Sequence, residues 1–229
     1  LFKPKFYFIL TGLLLAAIIL LASKAGLIVL SILLTIYIIK SKNIRMIAIL
    51  SIFISAFLAS LYFSSPKFAG KIKDAAKATI SQPTDLKTSE SSAARVLIWK
   101  SAIQIINEQK IWGAGTGDVK DKLVKKYLTN GYTGLAEKKL NAHNQFLQTA
   151  IAIGYPGLIT VLLIFGFLFI DFAKRKFQIG IAFGIIVIIN FMFESMLETQ
   201  AGIVFFVFFL VLLLYSLPVI KEQKISFSE

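Results

Sequence analysis

His143 is the only histidine in the chain, and imidazole is the side chain that most readily exchanges a proton near neutral pH. It lies within residues 141–157, where a long polar segment ends and an apolar segment begins. A proton acceptor at the edge of a membrane indicates chemistry on something that the membrane carries. A histidine that only anchors the start of a helix at the interface fits the same position. Taken alone, the residue favours this second interpretation.

A Gly-rich segment could bind an anion. Gly113, Gly115 and Gly117 alternate with other residues before Asp118, which suits a tight turn with exposed N–H groups, a backbone nest for anions. A plain turn that ends a helix explains the same spacing. The segment is not a dinucleotide fingerprint, because no βαβ unit surrounds it.

Composition indicates a membrane protein. The chain has 229 residues, 57% of them hydrophobic, and a mean hydropathy of +0.78. The first apolar stretch is not followed by a signal-peptide cleavage pattern, so it is predicted to be a true span. The chain contains no cysteine, which argues against disulfides and thiolate chemistry, and its single histidine argues against a zinc site. Because it begins with Leu1, we expect a fragment or processed piece of a longer protein.

Hydropathy predicts an all-α, polytopic membrane protein with about six transmembrane helices. We expect three parts: spans one to three in residues 1–63, a helical periplasmic loop in residues 64–142, and an interfacial helix with spans four to six in residues 143–229. The predicted spans are 6–22, 25–39, 46–63, 158–172, 177–193 and 202–220.

Basic residues orient these spans. The positive-inside rule places both termini in the cytoplasm and the long loop outside, because Lys and Arg concentrate on alternate short connections. The residues concerned are Lys3, Lys5, Lys40, Lys42, Arg45, Lys174, Arg175, Lys176, Lys221 and Lys224.

The long loop is itself basic, with more Lys and Arg than Asp and Glu. Contact with anionic lipid headgroups would explain this excess, and so would an electrostatic funnel for an anionic substrate. Nucleic acid is a poor fit, because the loop lacks aromatic residues placed for base stacking.

Two helices are predicted in the loop. The first runs from residues 89–92 to Glu108, and the second runs from a cap at Asp118 to Leu128. Beyond His143 a helical pattern is interrupted around Pro156, which indicates a short interfacial helix followed by span four, or one kinked helix. The expected apolar stripes are Val96, Trp99, Ile103 and Ile106 on the first helix and Val119, Leu123 and Tyr127 on the second.

Three motifs resemble those of the O-antigen ligase and O-antigen/polysaccharide polymerase superfamily of bacterial inner membranes. His143-Asn144, nine residues and then Gly154-x-x-Gly157 reproduce the ligase pattern. Arg95-Val-Leu-Ile-Trp99 with the later Gly113-Ala-Gly115-Thr-Gly117 is similar to an Arg-x-x-x-Trp helix and a Gly-rich turn. Ser23-Lys24-Ala25 is a weaker match, because the family usually has arginine where Lys24 stands. The chain looks like the C-terminal half of such an enzyme.

The resemblance implies a membrane glycosyltransferase, multi-pass in the bacterial inner membrane, with its active site facing the periplasm. Such enzymes move a glycan from an undecaprenyl-pyrophosphate carrier to an acceptor hydroxyl. The acceptor is lipid A–core for ligases, another repeat unit for polymerases, and a protein for protein-glycosylating ligases. Membrane lipids are further partners. The reaction implies neither metal nor cofactor, because pyrophosphate is already a good leaving group.

The roles implied by the resemblance are specific. His143 is the catalytic general base. Arg95 binds the pyrophosphate through paired guanidinium donors, and Lys24 adds a second positive charge as a point charge without that fork. Supporting roles fall to Asn144, Gly113, Gly115, Gly117, Glu194 and Glu198.

Glu194 and Glu198 leave several interpretations open. Their spacing could place both on one helix face near the external surface. They could orient His143, hydrogen-bond acceptor sugars or act as a glycosidase pair, although that chemistry requires a defined separation. Taken alone, the two residues favour a further interpretation, a pair of solvated interfacial acids.

A transporter for an anionic lipid is the rival from another class. It would need ionisable residues deep inside spans, and the cores of the predicted spans have none. A non-catalytic scaffold would make the His143 motif a coincidence.

Overall fold

The computed structural model describes Leu13 and residues 24–41, 92–109 and 111–226. Every regular element in these ranges is helical, which confirms the predicted all-α class. Apart from Leu13, the predicted first and third spans and the segment 64–91 lie outside the described residues. The helices are α1 Lys24–Ser41, α2 Ser92–Glu108, α3 Val119–Thr129, α4 Thr133–Glu137, α5 Gln145–Lys174, α6 Gln178–Phe193 and α7 Gln200–Ser226, with a 3₁₀ turn Met196–Glu198 before α7.

The chain forms two compact units, Leu1–Gly70 and Lys71–Glu229. In the first unit, α1 covers the predicted second span, and Lys24 is its first residue. The second unit contains all the other described helices. The division into three parts at residues 63 and 142 stays a prediction, as does the number of spans.

Helix α3 packs as its sequence pattern predicts. Val119, Leu123 and Tyr127 lie one helical turn apart and are all buried. The hydroxyl of Tyr127 donates to the carbonyl oxygen of Leu140 at 3.2 Å, so the most buried aromatic of this core has a polar partner. The helix begins after Asp118 as predicted, but the Asp118 side chain makes no capping hydrogen bond.

Two of the four residues in the apolar stripe predicted on α2 are exposed. Val96 and Ile103 are 43% and 50% exposed, whereas Ile106 is buried and Trp99 packs against the core. The buried face instead includes small residues, because α2 contacts both α3 and α5 and needs close approach on two sides. A pattern built from large apolar residues overlooks such a face. Its buried members are Ala94, Leu97, Ile98, Ser101, Ala102, Ile105 and Ile106.

Helix α5 is broken at Gly154, where φ is 75° and ψ is −163°. It therefore consists of two helical segments, 145–153 and 155–174, which agrees with a short helix followed by a longer apolar one. Pro156 stands in the first turn of the second segment, where a missing N–H costs least. The break leaves Ala152 without its regular helical donor, because Pro156 has no N–H.

The Gly-rich turn after α2 satisfies the carbonyl groups at this break. The N–H of Ala114 donates to Ile151 O at 2.7 Å, and the N–H of Gly115 donates to Ala152 O at 3.0 Å. A Cβ atom on Gly113 would lie 2.5 Å from the backbone nitrogen of Gly154. Only a residue without a side chain allows this contact, so the turn and the break fit each other.

Helix α5 is long and apolar enough to cross a membrane, and it is the single described helix that meets both criteria. Helix α6 and residues 200–215 of α7 are apolar but shorter. Aromatic rings join the three helices, as in the edge-to-face contact of Phe165 with Phe191 at 5.5 Å and the stacking of Phe183 on Phe206 at 6.4 Å. On the outside, Leu163 and Phe167 are exposed, as expected for surfaces in contact with lipid.

Candidate functional site

His143 lies directly before the first segment of α5 in a left-handed backbone conformation, with φ of 44°. This conformation is uncommon for residues other than glycine and often marks functional positions. The Asn141 side chain stabilises it by accepting the N–H of His143 at 3.0 Å. Asn144 then caps α5 by accepting the N–H of Leu147 at 3.0 Å. The histidine is thus held between two asparagine-based turns.

Two side chains fasten the segment after α6 to the start of α5. The amide of Asn144 donates to Met192 O at 3.1 Å, and Gln145 accepts the N–H of Leu197 at 2.7 Å. Gln145 is buried and also donates to the Thr149 hydroxyl. Residues 192–197 are therefore fixed beside His143.

Glu194 lies within this fixed segment as the extended residue that ends α6. One of its carboxylate oxygens accepts from Arg95 Nη2 at 2.9 Å, and the other is 3.1 Å from His143 Nδ1. Arg95 and His143 are 99 and 51 residues away in sequence. The structure thus brings three of the predicted site residues into one cluster.

The neighbours of Glu194 favour its charged form. The hydrogen bond with His143 lowers the pKa of Glu194 most, and the charges of His143 and Arg95 lower it further, whereas partial burial opposes them. The group is therefore a carboxylate at neutral pH.

This carboxylate determines the tautomer of the neutral imidazole. A carboxylate only accepts hydrogen bonds, so Nδ1 of His143 must donate to Glu194. The other ring nitrogen, Nε2, then carries a lone pair that can accept a proton. Among the described residues, none forms a hydrogen bond with Nε2.

A cavity of about 400 Å³ opens beside His143. Glu198 lines it and Glu194 does not, so the two glutamates have different surroundings. They do not share a helix face as the spacing suggested, because α6 ends at Phe193 and Glu198 ends the 3₁₀ turn. The cavity is lined by Thr116, Gly117, Val119, Lys120, Lys139, Leu140, Asn141, His143, Gln148 and Glu198.

Lys120 and Lys139 were not among the predicted site residues. In the sequence they belong to a loop with many lysines, and only the folding of α3 and α4 places them beside His143. The one available signal is that each lies within a few residues of a predicted site residue, Gly117 for Lys120 and His143 for Lys139.

The Gly-rich turn makes backbone hydrogen bonds with the rest of the chain, and its predicted role in binding an anion stays a prediction. The N–H groups of Gly113, Ala114 and Gly115 all donate to protein carbonyls. Gly117 lines the cavity. Lys24 belongs to the first unit, so its predicted role stays a prediction.

The model of the O-antigen ligase family matches residues 9–162, more than half of the chain. The chain belongs to the O-antigen ligase family. This family is membrane-associated and comprises glycosyltransferase-like ligases and polymerases, so the resemblance seen in the sequence is confirmed. No curated protein matches the chain. The match contains Arg95, His143 and both glycines of the His motif but ends before Glu194, which only the geometry connects to them.

Proposed function

We propose that this O-antigen ligase family member transfers a glycan from an undecaprenyl-pyrophosphate carrier to the hydroxyl of lipid A–core on the periplasmic face of the bacterial inner membrane. The observation that carries the proposal is the bridge of one carboxylate between Arg95 and His143. Glu194 thereby holds a cation that can bind phosphate, Arg95, and a proton acceptor, His143, on the same carboxylate.

In the proposed reaction His143 is the general base. Its Nε2 takes the proton of the acceptor hydroxyl, and the hydroxyl oxygen attacks the anomeric carbon of the donor glycan. The bond from that carbon to the pyrophosphate oxygen breaks, and its electron pair leaves with the pyrophosphate. Glu194 keeps the ring in the required tautomer and stabilises the imidazolium that forms.

Arg95 binds the leaving group in this proposal. A guanidinium has five N–H donors in a planar fork, and the contact with Glu194 involves only one of its nitrogens. The remaining donors can neutralise charge that develops on the pyrophosphate. Lys24 adds a second positive charge, and the proposed mechanism uses neither metal nor cofactor.

Replacing His143 tests the base. We expect His143→Ala to lower glycan transfer in membranes by about 10²–10⁴-fold, the usual contribution of a general base. Lys125→Gln, an exposed change on α3, is the matched control. Transfer by His143→Ala at the parent level, with equal expression, would refute the role.

The product of the same assay identifies the reaction. Glycan attached to lipid A–core indicates the proposed ligase. Longer carrier-linked chains indicate a polymerase, and a glycosylated pilin-like protein indicates a protein ligase. Carrier-lipid consumption, followed in parallel, separates all three from lipid transport.

A further inference from the structure

The cavity beside His143 has a basic lining that the proposed transfer does not use. Lys120 reaches it from the first turn of α3, and Lys139 reaches it from the segment after α4. Neither lysine forms an ion pair with any described residue, in contrast to Lys126, which contacts Glu108 at 2.5 Å, and Arg175, which contacts Asp171 at 2.8 Å. Lys139 also has a left-handed backbone, with φ of 48°.

A buried amide adds an unused donor. Gln148 is only 4% exposed and lines the cavity. Its oxygen accepts the N–H of Ala142 at 3.3 Å, while its nitrogen donates to none of the described residues. The cavity therefore offers two cations and a fixed N–H donor, and among the described residues of its lining Glu198 is the only acid.

The cavity lies on the side of the base and not of the pyrophosphate-binding cation. His143 is part of its lining, whereas Arg95 is not, although both contact Glu194. The hydroxyl that loses its proton has to lie against His143, so the acceptor belongs in this cavity. Its volume is within the roughly 300–1,000 Å³ typical of small-molecule sites.

We propose that this cavity binds an anionic group of the acceptor, a phosphorylated sugar whose phosphate contacts Lys120 and Lys139. The proposal rests on the transfer described above and specifies the acceptor class. Lysine suits this role because a point charge can follow a phosphate in several orientations. Glu198 accepts hydrogen bonds from sugar hydroxyls in the same cavity.

Sugar-phosphate binding to the purified full chain in detergent tests the proposal. The probes are glucose 6-phosphate and glucose, with inorganic pyrophosphate representing the donor, each titrated by ligand-observed NMR. The test variant is Lys120→Gln/Lys139→Gln. Its control is Lys100→Gln/Lys125→Gln, which removes the same charge from exposed positions outside the cavity.

We expect the parent to bind glucose 6-phosphate more tightly than glucose. The test variant should lose about tenfold or more of that affinity, because charge-assisted hydrogen bonds to phosphate are lost. The control variant should stay within about twofold of the parent, as non-contacting surface charges contribute little.

Three results would overturn the proposal. They are equal binding of glucose and glucose 6-phosphate by the parent, an equal loss in the control variant, and a loss confined to pyrophosphate, which would assign the lysines to the donor. His143→Ala separates the two proposals. If it retains full transfer while glucose 6-phosphate binding still depends on the lysines, the proposed base fails and the anion site remains.

Discussion

A carboxylate can bind two partners at once because its two oxygens accept independently, and Glu194 uses both. Arg95 and His143 precede Glu194 by 99 and 51 residues in sequence, yet each contacts a different oxygen of Glu194. The group therefore orients a base and a cation together. In the proposed reaction, the distance between the acceptor hydroxyl and the pyrophosphate depends on this one side chain.

Glu194→Gln tests this positioning role. The new amide can donate to Nδ1, which favours the tautomer with the proton on Nε2 and removes the lone pair that the base needs. We expect glycan transfer to fall by about 10²-fold or more, as for loss of a general base.

Glu194→Asp distinguishes orientation from folding. It keeps the charge and should restore part of the activity lost in Glu194→Gln. The thermal midpoints of these two variants, measured at neutral pH in the same detergent, should differ little from each other. A Glu194→Gln enzyme with parental activity would show that Glu194 does not position the base.

The same carboxylate gives stability a pH dependence. Because folding lowers the pKa of Glu194 below its ordinary value of 4.5, its contacts contribute fully above that pH. This contribution to stability is lost as the pH falls through the lower pKa that Glu194 has in the folded state. The thermal midpoints of the parent and Glu194→Gln, measured from about pH 7 to pH 3, should therefore converge as the pH falls. A difference in thermal midpoint that stays constant across this pH range would contradict the lowered pKa of Glu194.

Sequence reasoning predicted part of the candidate site and missed the rest for a physical reason. Arg95 and His143 stand within short motifs, so residue type and spacing were sufficient to predict them as site residues. For Glu194 an orienting role was one of several interpretations, because its contact with His143 depends on Asn144 and Gln145 fastening two distant segments. Lys120 looked like any other loop lysine.

At the scale of elements, the decisive feature is the contact between the Gly-rich turn and the break in α5. The N–H groups of Ala114 and Gly115 satisfy carbonyls of the first segment of α5. This segment follows His143 and its cap Asn144, so the turn supports the element that positions the base. Gly113 and Gly154 approach too closely for side chains on either residue.

Gly154→Ala should destabilise the protein and lower activity. Its φ of 75° is strained for alanine, which costs about 1–3 kcal/mol, and the added Cβ would meet the Ile111 carbonyl. We expect a lower thermal midpoint in detergent. Gly166→Ala is the control, because a Cβ there meets nothing within 4 Å. Equal midpoints for the two variants would show that the break does not depend on glycine.

Local signals predicted these elements better than they predicted their packing. Asp118, Pro156 and the alternating glycines act on the backbone within a few residues of their own positions. The predicted start of α3 and the predicted break in α5 agree with the structure. The buried face of α2 depends on two neighbours that the sequence does not reveal. For that reason the predicted apolar stripe contains Val96 and Ile103, which are exposed.

At the scale of the whole molecule, the proposed function requires α2, α3 and the cavity on the periplasmic side. The excess of Lys and Arg on alternate short connections supports this orientation. The segment 155–174 of α5 would then cross the membrane from the site to the basic residues that follow it.

Single cysteines can test this orientation, because the parent chain has none to cause background labelling. Lys125→Cys lies on exposed α3, and Lys174→Cys lies at the exposed end of α5. In intact bacterial cells whose outer membrane admits the reagent, a maleimide that does not cross the inner membrane should label only Lys125→Cys. Lys174→Cys should react only after that membrane is permeabilised. Labelling of both in intact cells would mean that α5 does not cross. The reverse pattern would place His143 in the cytoplasm, on the opposite side from the proposed donor and acceptor.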